Sequence, residues 1–132
     1  MNTATAQLNN YRQSPRKVRL VADLVRGKKV EQAISALQFA DKKAALPIEK
    51  LLRSALSNAK NLNLDVENLV VKSVTVNGGA ILYRSLPMAR GRAFPMRKRT
   101  SKVVVVLGEK MAKEKVEKVS KPKPVKAKAV KK

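Results

Sequence analysis

The apolar positions between residues 14 and 27 recur at the spacing of an α-helix. Ser14 can cap this helix, Pro15 suits its first position, and Gly27 can end it. The apolar side chains predict a buried stripe formed by Val18, Leu20, Val21, Leu24 and Val25. Three cations and one carboxylate project from the remaining face of the helix: Arg16, Arg19, Asp23 and Arg26.

The same periodicity predicts two further helices. A short helix fits Val30 to Phe39, where apolar residues recur at helical spacing. A longer helix follows, and Asp41 is its predicted cap. Pro47 must either lie in the first turn or bend this helix, because its missing N–H costs least in a first turn. The predicted buried face of the longer helix is Ala44, Ala45, Ile48, Leu51, Leu52, Ala55, Leu56 and Ala59.

Runs of β-branched residues replace the helical pattern after Leu69. Residues 70–76 read VVKSVTV and residues 103–107 read VVVVL, and each run predicts a strand. The segment between them predicts a long hairpin over about residues 77–102, in which roughly 11 residues per strand give a projection on the order of 35 Å. An isolated hairpin is marginally stable in water, so we expect this one to become ordered only against a partner.

The two ends of the chain show different patterns. Ala4 to Gln13 alternate weakly between apolar and polar residues, which predicts a third, edge strand. Residues 111–132 mix Lys, Pro, Ala and Val without periodicity and predict a disordered Lys-rich tail. The length of 132 residues fits one domain, here expected over residues 1–110.

Charge changes the interpretation of the hairpin. The formal net charge is +21, and the 41 positions between Glu67 and Glu109 hold eight cations and no acidic residue. Such a density of like charge repels itself, so the phosphates of a nucleic acid are the expected partner. A solvated strand surface is the alternative interpretation of this cluster. For the charged face of the first helix, solubility alone is an equally ordinary explanation.

The sequence offers little chemistry for catalysis. Cysteine and histidine are absent, which removes disulfides, thiolate nucleophiles and the commonest zinc ligands. The closest acidic pair, Asp65 and Glu67, is interpreted as a solvated turn, so we expect no enzyme, no metal site and no cofactor. The longest apolar run, Val103 to Leu107, is far shorter than the roughly 20 residues that span a bilayer, and residues 1–10 do not form a signal peptide. We therefore expect a cytoplasmic protein that does not bind membranes.

Arginine outnumbers lysine in the hairpin. Guanidinium groups bind phosphates with two parallel hydrogen bonds and stack on bases, which suits fixed contacts in a folded RNA. Tyr83, Met88 and Phe94 lie between these cations and either stack on bases or pack on the hairpin itself. The hairpin cations are Arg84, Arg90, Arg92, Arg97, Lys98, Arg99 and Lys102.

Four segments of the chain form a recognisable series of motifs. They are SPRKVRLVADLVRG at residues 14–27, ALSNA at 55–59, ARGRA at 89–93 and KRTS at 98–101. In this order they resemble the bacterial family of large-subunit ribosomal protein twenty-two. The resemblance covers about residues 5–110. It implies an α+β fold in which three helices pack on a small antiparallel three-stranded sheet, with a long protruding β-hairpin.

The resemblance also implies a function for this fold. Members of the family bind 23S rRNA, act early in subunit assembly, contact neighbouring ribosomal proteins and line the nascent-peptide tunnel with the hairpin, and macrolide antibiotics bind nearby. The implied rRNA-binding residues are Ser14, Arg16, Lys17, Arg19, Arg84, Arg90, Arg92, Arg97, Lys98, Arg99, Thr100, Ser101 and Lys102. The implied tunnel-lining tip is Leu82, Tyr83, Arg84, Pro87, Met88, Ala89, Arg90, Gly91, Arg92 and Ala93.

Two other classes of function remain open on the residues alone. An architectural DNA-binding protein is one, because Pro95 and Met96 are residue types that wedge between bases in the minor groove. A membrane-active cationic protein is the other. It shares the charge, but the sequence shows no amphipathic helix with large exposed apolar residues.

Overall fold

Three helices and three strands make up the part of the chain that the computed structural model describes, residues 3–109. The helices are α1 (Pro15–Val25), α2 (Val30–Gln38) and α3 (Ala45–Asn61). The strands are β1 (Thr3–Tyr11), β2 (Leu69–Pro87) and β3 (Ala93–Glu109). The predicted α+β class is therefore confirmed. The predicted tail, residues 111–132, lies outside the described residues.

The strands form one antiparallel sheet in the order β1-β3-β2. β1 pairs with β3 only as far as Ser101, whereas β2 remains paired with β3 as far as Ala93. The hairpin is thus the continuation of β2 and β3 beyond the end of β1. The prediction of an edge strand near the amino terminus is confirmed by β1.

The core lies between one face of the sheet and the helices. Along β3 the alternation is regular, since Val103, Val105 and Leu107 are buried while the intervening valines are partly exposed. Full burial of each such side chain contributes on the order of 2 kcal/mol, so this strand anchors the hairpin to the body of the fold. The helices add several fully buried residues: Val18, Val25, Leu37, Ile48, Leu52, Ala55 and Ala59.

α1 buries a narrower stripe than its sequence predicted. Leu20 and Leu24 were wrongly placed in the core, because they are 68% and 42% exposed. A helix turns by 100° per residue, and the two leucines fall outside the stripe defined by the i, i+3, i+4, i+7 positions. The residues at those positions, all buried, are Val18, Val21, Ala22 and Val25.

The ends of α1 are set by the backbone rather than by a side-chain cap. Ser14 occupies the cap position, but its side chain makes no capping hydrogen bond; its carbonyl oxygen accepts from the amide of Lys17 at 3.0 Å. Pro15 is the first helical residue, as predicted. Gly27, at φ +76°, ends the helix in the left-handed conformation that glycine adopts without strain.

The two other helices follow their predicted positions closely. α2 ends one residue before the predicted limit, at Gln38. The prediction that Asp41 caps α3 is wrong, because an intervening turn delays the start of the helix to Ala45. Pro47 consequently lies in the first turn, where its missing N–H leaves no hydrogen bond broken.

Candidate nucleic-acid interface

The outer part of the hairpin, residues 81–99, is called the arm, and the rest of the described chain is called the body. The arm is paired from Ile81 with Arg99 to Pro87 with Ala93. All its side chains are exposed except those of Ile81 and Met96, which are partly exposed. The arm therefore has little contact with the body. Its exposed cations are Arg84, Arg90, Arg92, Arg97, Lys98 and Arg99, and Lys102 follows at its base.

Cations occupy both faces of the arm. Because strand residues alternate between faces, and directly paired residues share one face, Arg84 and Lys98 lie on one side while Arg97 and Arg99 lie on the other. None of these four forms an ion pair with any residue between 3 and 109. Charge on both faces suits an arm that is enclosed by its partner rather than laid along a flat surface.

The tip is a tight turn at the predicted position. The Met88 amide donates to the Arg92 carbonyl oxygen at 2.8 Å, which closes the end of the arm. Arg90 and Gly91 adopt the left-handed conformation at φ 59° and 70°, so two successive residues reverse the chain. The residues predicted to line the tunnel are all exposed there: Leu82, Tyr83, Arg84, Pro87, Met88, Ala89, Arg90, Gly91, Arg92 and Ala93.

Two predicted contact residues at the base of the arm point into the protein instead. Ser101 is 0% exposed and its hydroxyl donates to the carbonyl oxygen of Gln13, while Thr100 is 5% exposed and its hydroxyl donates to that of Ala80 at 2.6 Å. Neither hydroxyl is available to an external phosphate. Both hydroxyls are used within the fold, and RNA contact at these two positions stays a prediction.

Thr100 lies opposite a β-bulge in β2. The register of β2 against β3 shifts between Gly78 and Ile81, which leaves Gly79 and Ala80 facing Thr100. A Cβ atom on Gly79 would lie 2.5 Å from the Thr100 hydroxyl oxygen, so the close packing requires glycine at this position. A bulge bends its strand and increases its twist, so β2 bends where the arm begins.

α1 uses two of its arginines to cover the edge of the sheet. The Arg19 guanidinium donates from Nη2 and Nε to the Val76 carbonyl oxygen at 3.0 and 3.2 Å. Arg26 donates to the Val74 carbonyl oxygen at 3.1 Å and pairs with Asp23 at 2.8 Å. These bonds satisfy outward-facing carbonyls of the edge strand β2 and hinder pairing with another chain. RNA contact by Arg19 stays a prediction, since the guanidinium keeps further donors.

A cleft separates the body from the base of the arm. Its cavity volume is about 800 Å³, and none of the described residues that line it is acidic. Tyr11 and Leu82 provide its apolar surface. A second groove of about 620 Å³ runs along α1 between Ser14 and Gly78 and includes Arg16. The cations that line the first cleft come from both sides: Arg12, Lys17, Lys43, Arg84, Arg97, Lys98 and Arg99.

Sequence reasoning missed two cations of this cleft. Arg12 follows β1 directly and lies two residues before Ser14, so its position in the sequence could have indicated that it belongs to the cleft. Lys43 had no such signal, because the Tyr11 hydroxyl brings it into place by donating to the Lys43 carbonyl oxygen at 3.1 Å. Burial raises the pKa of the Tyr11 phenol above its ordinary value, and this donor, like any phenol, is protonated at neutral pH. Gln13 borders the same cleft, and its Oε1 is buried without a hydrogen-bond partner within residues 3–109.

Comparison with known proteins shows the family to which this chain belongs. Residues 6–108 match the family described as "Ribosomal protein L22p/L17e". The chain belongs to this family. The L22p/L17e match extends over both the body and the arm, so it includes every residue of the candidate interface. Because the family is one of ribosomal structural proteins, the expectation that the chain is not an enzyme is confirmed.

Several relatives of the L22p/L17e family share the name "Large ribosomal subunit protein uL22". The one from Caldicellulosiruptor saccharolyticus is 49% identical over 108 residues, covering 81% of this chain and 88% of the relative. The Flavobacterium johnsoniae protein is 51% identical over 109 residues, 80% of each chain. The Lactobacillus helveticus protein is 48% identical over 111 residues, 83% of this chain and 95% of its own.

Two further findings concern the described residues alone. Between residues 3 and 109, no helix is both long and apolar enough to cross a bilayer. The same residues bring together no group of three or more Asp, Glu, His or Cys side chains that would hold a metal ion.

Proposed function

We propose that this chain is a structural constituent of the large ribosomal subunit that binds 23S rRNA through its arm and through the neighbouring cations of α1. The observation that carries the proposal is an exposed arm with cations on both faces and no acidic residue among them. Relatives named large ribosomal subunit proteins support the choice of rRNA. The proposed location is accordingly the cytoplasm, within the ribosome.

The electrostatics of the arm favour a phosphate-rich partner. Like charges in close proximity on a solvated hairpin repel each other, and none of the arm cations pairs with a carboxylate among residues 3–109. RNA phosphates remove this repulsion and release counterions when the cations bind. Arg84, Arg97 and Arg99 bring planar guanidinium groups, which bind phosphates in a defined orientation and also stack on exposed bases.

The tip is the part of the arm that we assign to the nascent-peptide tunnel. Its small residues Ala89, Gly91 and Ala93 let the backbone approach closely, while Arg90 and Arg92 reach outward. This arrangement suits a segment that passes through folded RNA and presents its turn to an emerging polypeptide. Early assembly, contact with neighbouring ribosomal proteins and macrolide antibiotics bound nearby belong to the same proposal, by resemblance to the family.

The architectural DNA-binding alternative loses support from the arm. Pro95 and Met96 were its candidate wedges, but both are paired within the arm, with Ser85 and Arg84. Met96 is also only partly exposed. These two residues lie along the paired segment instead of at the exposed tip of the arm.

Binding specificity and sedimentation test the proposal. At about 0.2 M salt, where non-specific charge contacts are weak, we expect fragments of 23S rRNA to bind the full chain at least tenfold more tightly than duplex DNA of equal length. We also expect the protein to remain with 50S particles after a high-salt wash. Equal affinities for the two nucleic acids, or loss of the protein from the particles, would contradict the proposal.

A further inference from the structure

We propose that the cleft between the body and the arm is a site for one single-stranded or looped RNA segment, and that its occupant ties the arm to the body. This inference rests on the proposed rRNA binding and specifies one place on the protein where the RNA binds. The cleft differs from the rest of the arm's surface because one of its walls belongs to the body. Arg12, Lys17 and Lys43 line that wall, and Arg84 and Lys98 line the wall formed by the arm.

Opposed cationic walls favour a thin, flexible polyanion. The two walls repel each other when the cleft is empty of counter-charge, because none of the described residues that line it is acidic. A single RNA strand turns its phosphates towards both walls, whereas a duplex presents a broad convex surface to a concave cleft. The occupant is therefore expected to be a loop or a single strand and not a regular helix.

The apolar surface of the cleft favours RNA over an acidic peptide. The Tyr11 ring lines the cleft while its hydroxyl is held by the Lys43 carbonyl oxygen, so the ring is fixed in orientation. Leu82 contributes a second apolar surface on the arm side and is 45% exposed. An unstacked base can stack on the tyrosine ring and contact the leucine side chain, and stacking on an aromatic ring stabilises single strands in many RNA-binding proteins.

The position of the cleft couples binding to the direction of the arm. Just below the arm, the Ser101 hydroxyl bonds Gln13 and the Thr100 hydroxyl bonds Ala80 across the two strands that continue into the arm, but the arm beyond Ile81 has little other support. A strand that contacts Lys43 and Lys98 together restrains the arm relative to the body. The occupant thus selects one arm direction from those available to the free protein.

A charge-matched pair of variants tests the binding site. Arg12→Ala/Lys43→Ala removes two cations from the body wall of the cleft, and Lys50→Ala/Lys60→Ala removes two exposed cations from α3 outside it. With a labelled single-stranded RNA of about 12 nucleotides, we expect the first variant to flatten the slope of log affinity against log salt by about 1.4, and the second to leave it nearly unchanged. Equal effects of the two variants overturn the inference, as does tighter binding of an RNA duplex or of polyglutamate.

Spin labels test the coupling to the arm. The chain contains no cysteine, so Ser57→Cys on α3 and Ala89→Cys at the tip place two labels without competing sites. The RNA is expected to narrow the distance distribution between the labels, and to narrow it less when Arg12 and Lys43 are alanine. An unchanged distribution overturns the coupling. If all variants bind 23S rRNA equally well, only the cleft inference fails, whereas absence of rRNA binding by the unaltered chain removes the proposed function itself.

Discussion

Two hydroxyl groups at the base of the arm show how a motif rich in cations also serves the fold. Thr100 and Ser101 stand among exposed cations in the sequence, yet both side chains are buried and donate to backbone carbonyl oxygens. Their partners, Ala80 and Gln13, lie in β2 and in the turn after β1. Two neighbouring hydroxyls therefore connect three segments of the chain where the arm leaves the sheet.

Replacing Ser101 with alanine is expected to destabilise the protein. The substitution removes the hydroxyl that bonds the Gln13 carbonyl oxygen, and a buried polar group without a partner costs about 1–3 kcal/mol. Denaturant unfolding of the full chain measures the loss. Ser57→Ala, at an exposed position of α3, is the matched control and should change stability by less than about 0.5 kcal/mol. Equal behaviour of the two variants would mean that the Ser101 hydrogen bond contributes nothing.

At the scale of elements, the sequence was enough to predict the helices and strands. It was not enough to predict the details that depend on contacts between them. The two valine-rich runs were enough to predict the hairpin. The bulge was not predictable, because the need for glycine at position 79 comes from Thr100 on the other strand. Leu20 and Leu24 were misplaced for a related reason: hydrophobicity alone does not say which of two adjacent helical stripes faces the sheet.

Two adjacent glycines of β2 should respond differently to alanine. A Cβ on Gly79 meets the Thr100 hydroxyl oxygen at 2.5 Å, whereas a Cβ on Gly78 has open space around it. Thr100 cannot turn away without breaking its bond to Ala80, so we expect Gly79→Ala to cost about 1–3 kcal/mol in the free energy of unfolding. Gly78→Ala should be neutral or stabilise by about 0.5 kcal/mol, because alanine restricts the unfolded chain.

A double variant identifies the cause of that difference. With Thr100→Ala in the background, Gly79→Ala should cost much less, because the atom that it meets has been removed. Denaturant midpoints of the four chains give the coupling between the two positions. Strict additivity, or a cost at Gly78 as large as that at Gly79, would contradict the close packing of Gly79 against Thr100.

At the scale of the whole molecule, the cationic arm and the hydrophobic core lie at different parts of the long strands β2 and β3. Asp65, Glu67 and Glu109 lie at the end of the sheet opposite the arm, where β2 begins and β3 ends. The arm carries cations on both faces and no buried side chain. Stability should therefore be a property of the body, and RNA affinity a property of the arm and its base. The two quantities can then be changed independently by mutation.

Replacing Arg90 and Arg92 together with alanine tests this separation. Both side chains are exposed at the tip, so we expect the free energy of unfolding of the full chain to change by less than about 0.5 kcal/mol. Affinity for 23S rRNA should fall, and the salt dependence of binding should weaken, because two cationic contacts are lost. Leu107→Ala in β3 is the opposite case. Truncating this fully buried side chain should lower the free energy of unfolding by about 2–5 kcal/mol. A large loss of stability in the Arg90 and Arg92 variant would show that the tip packs against the body, contrary to its exposure.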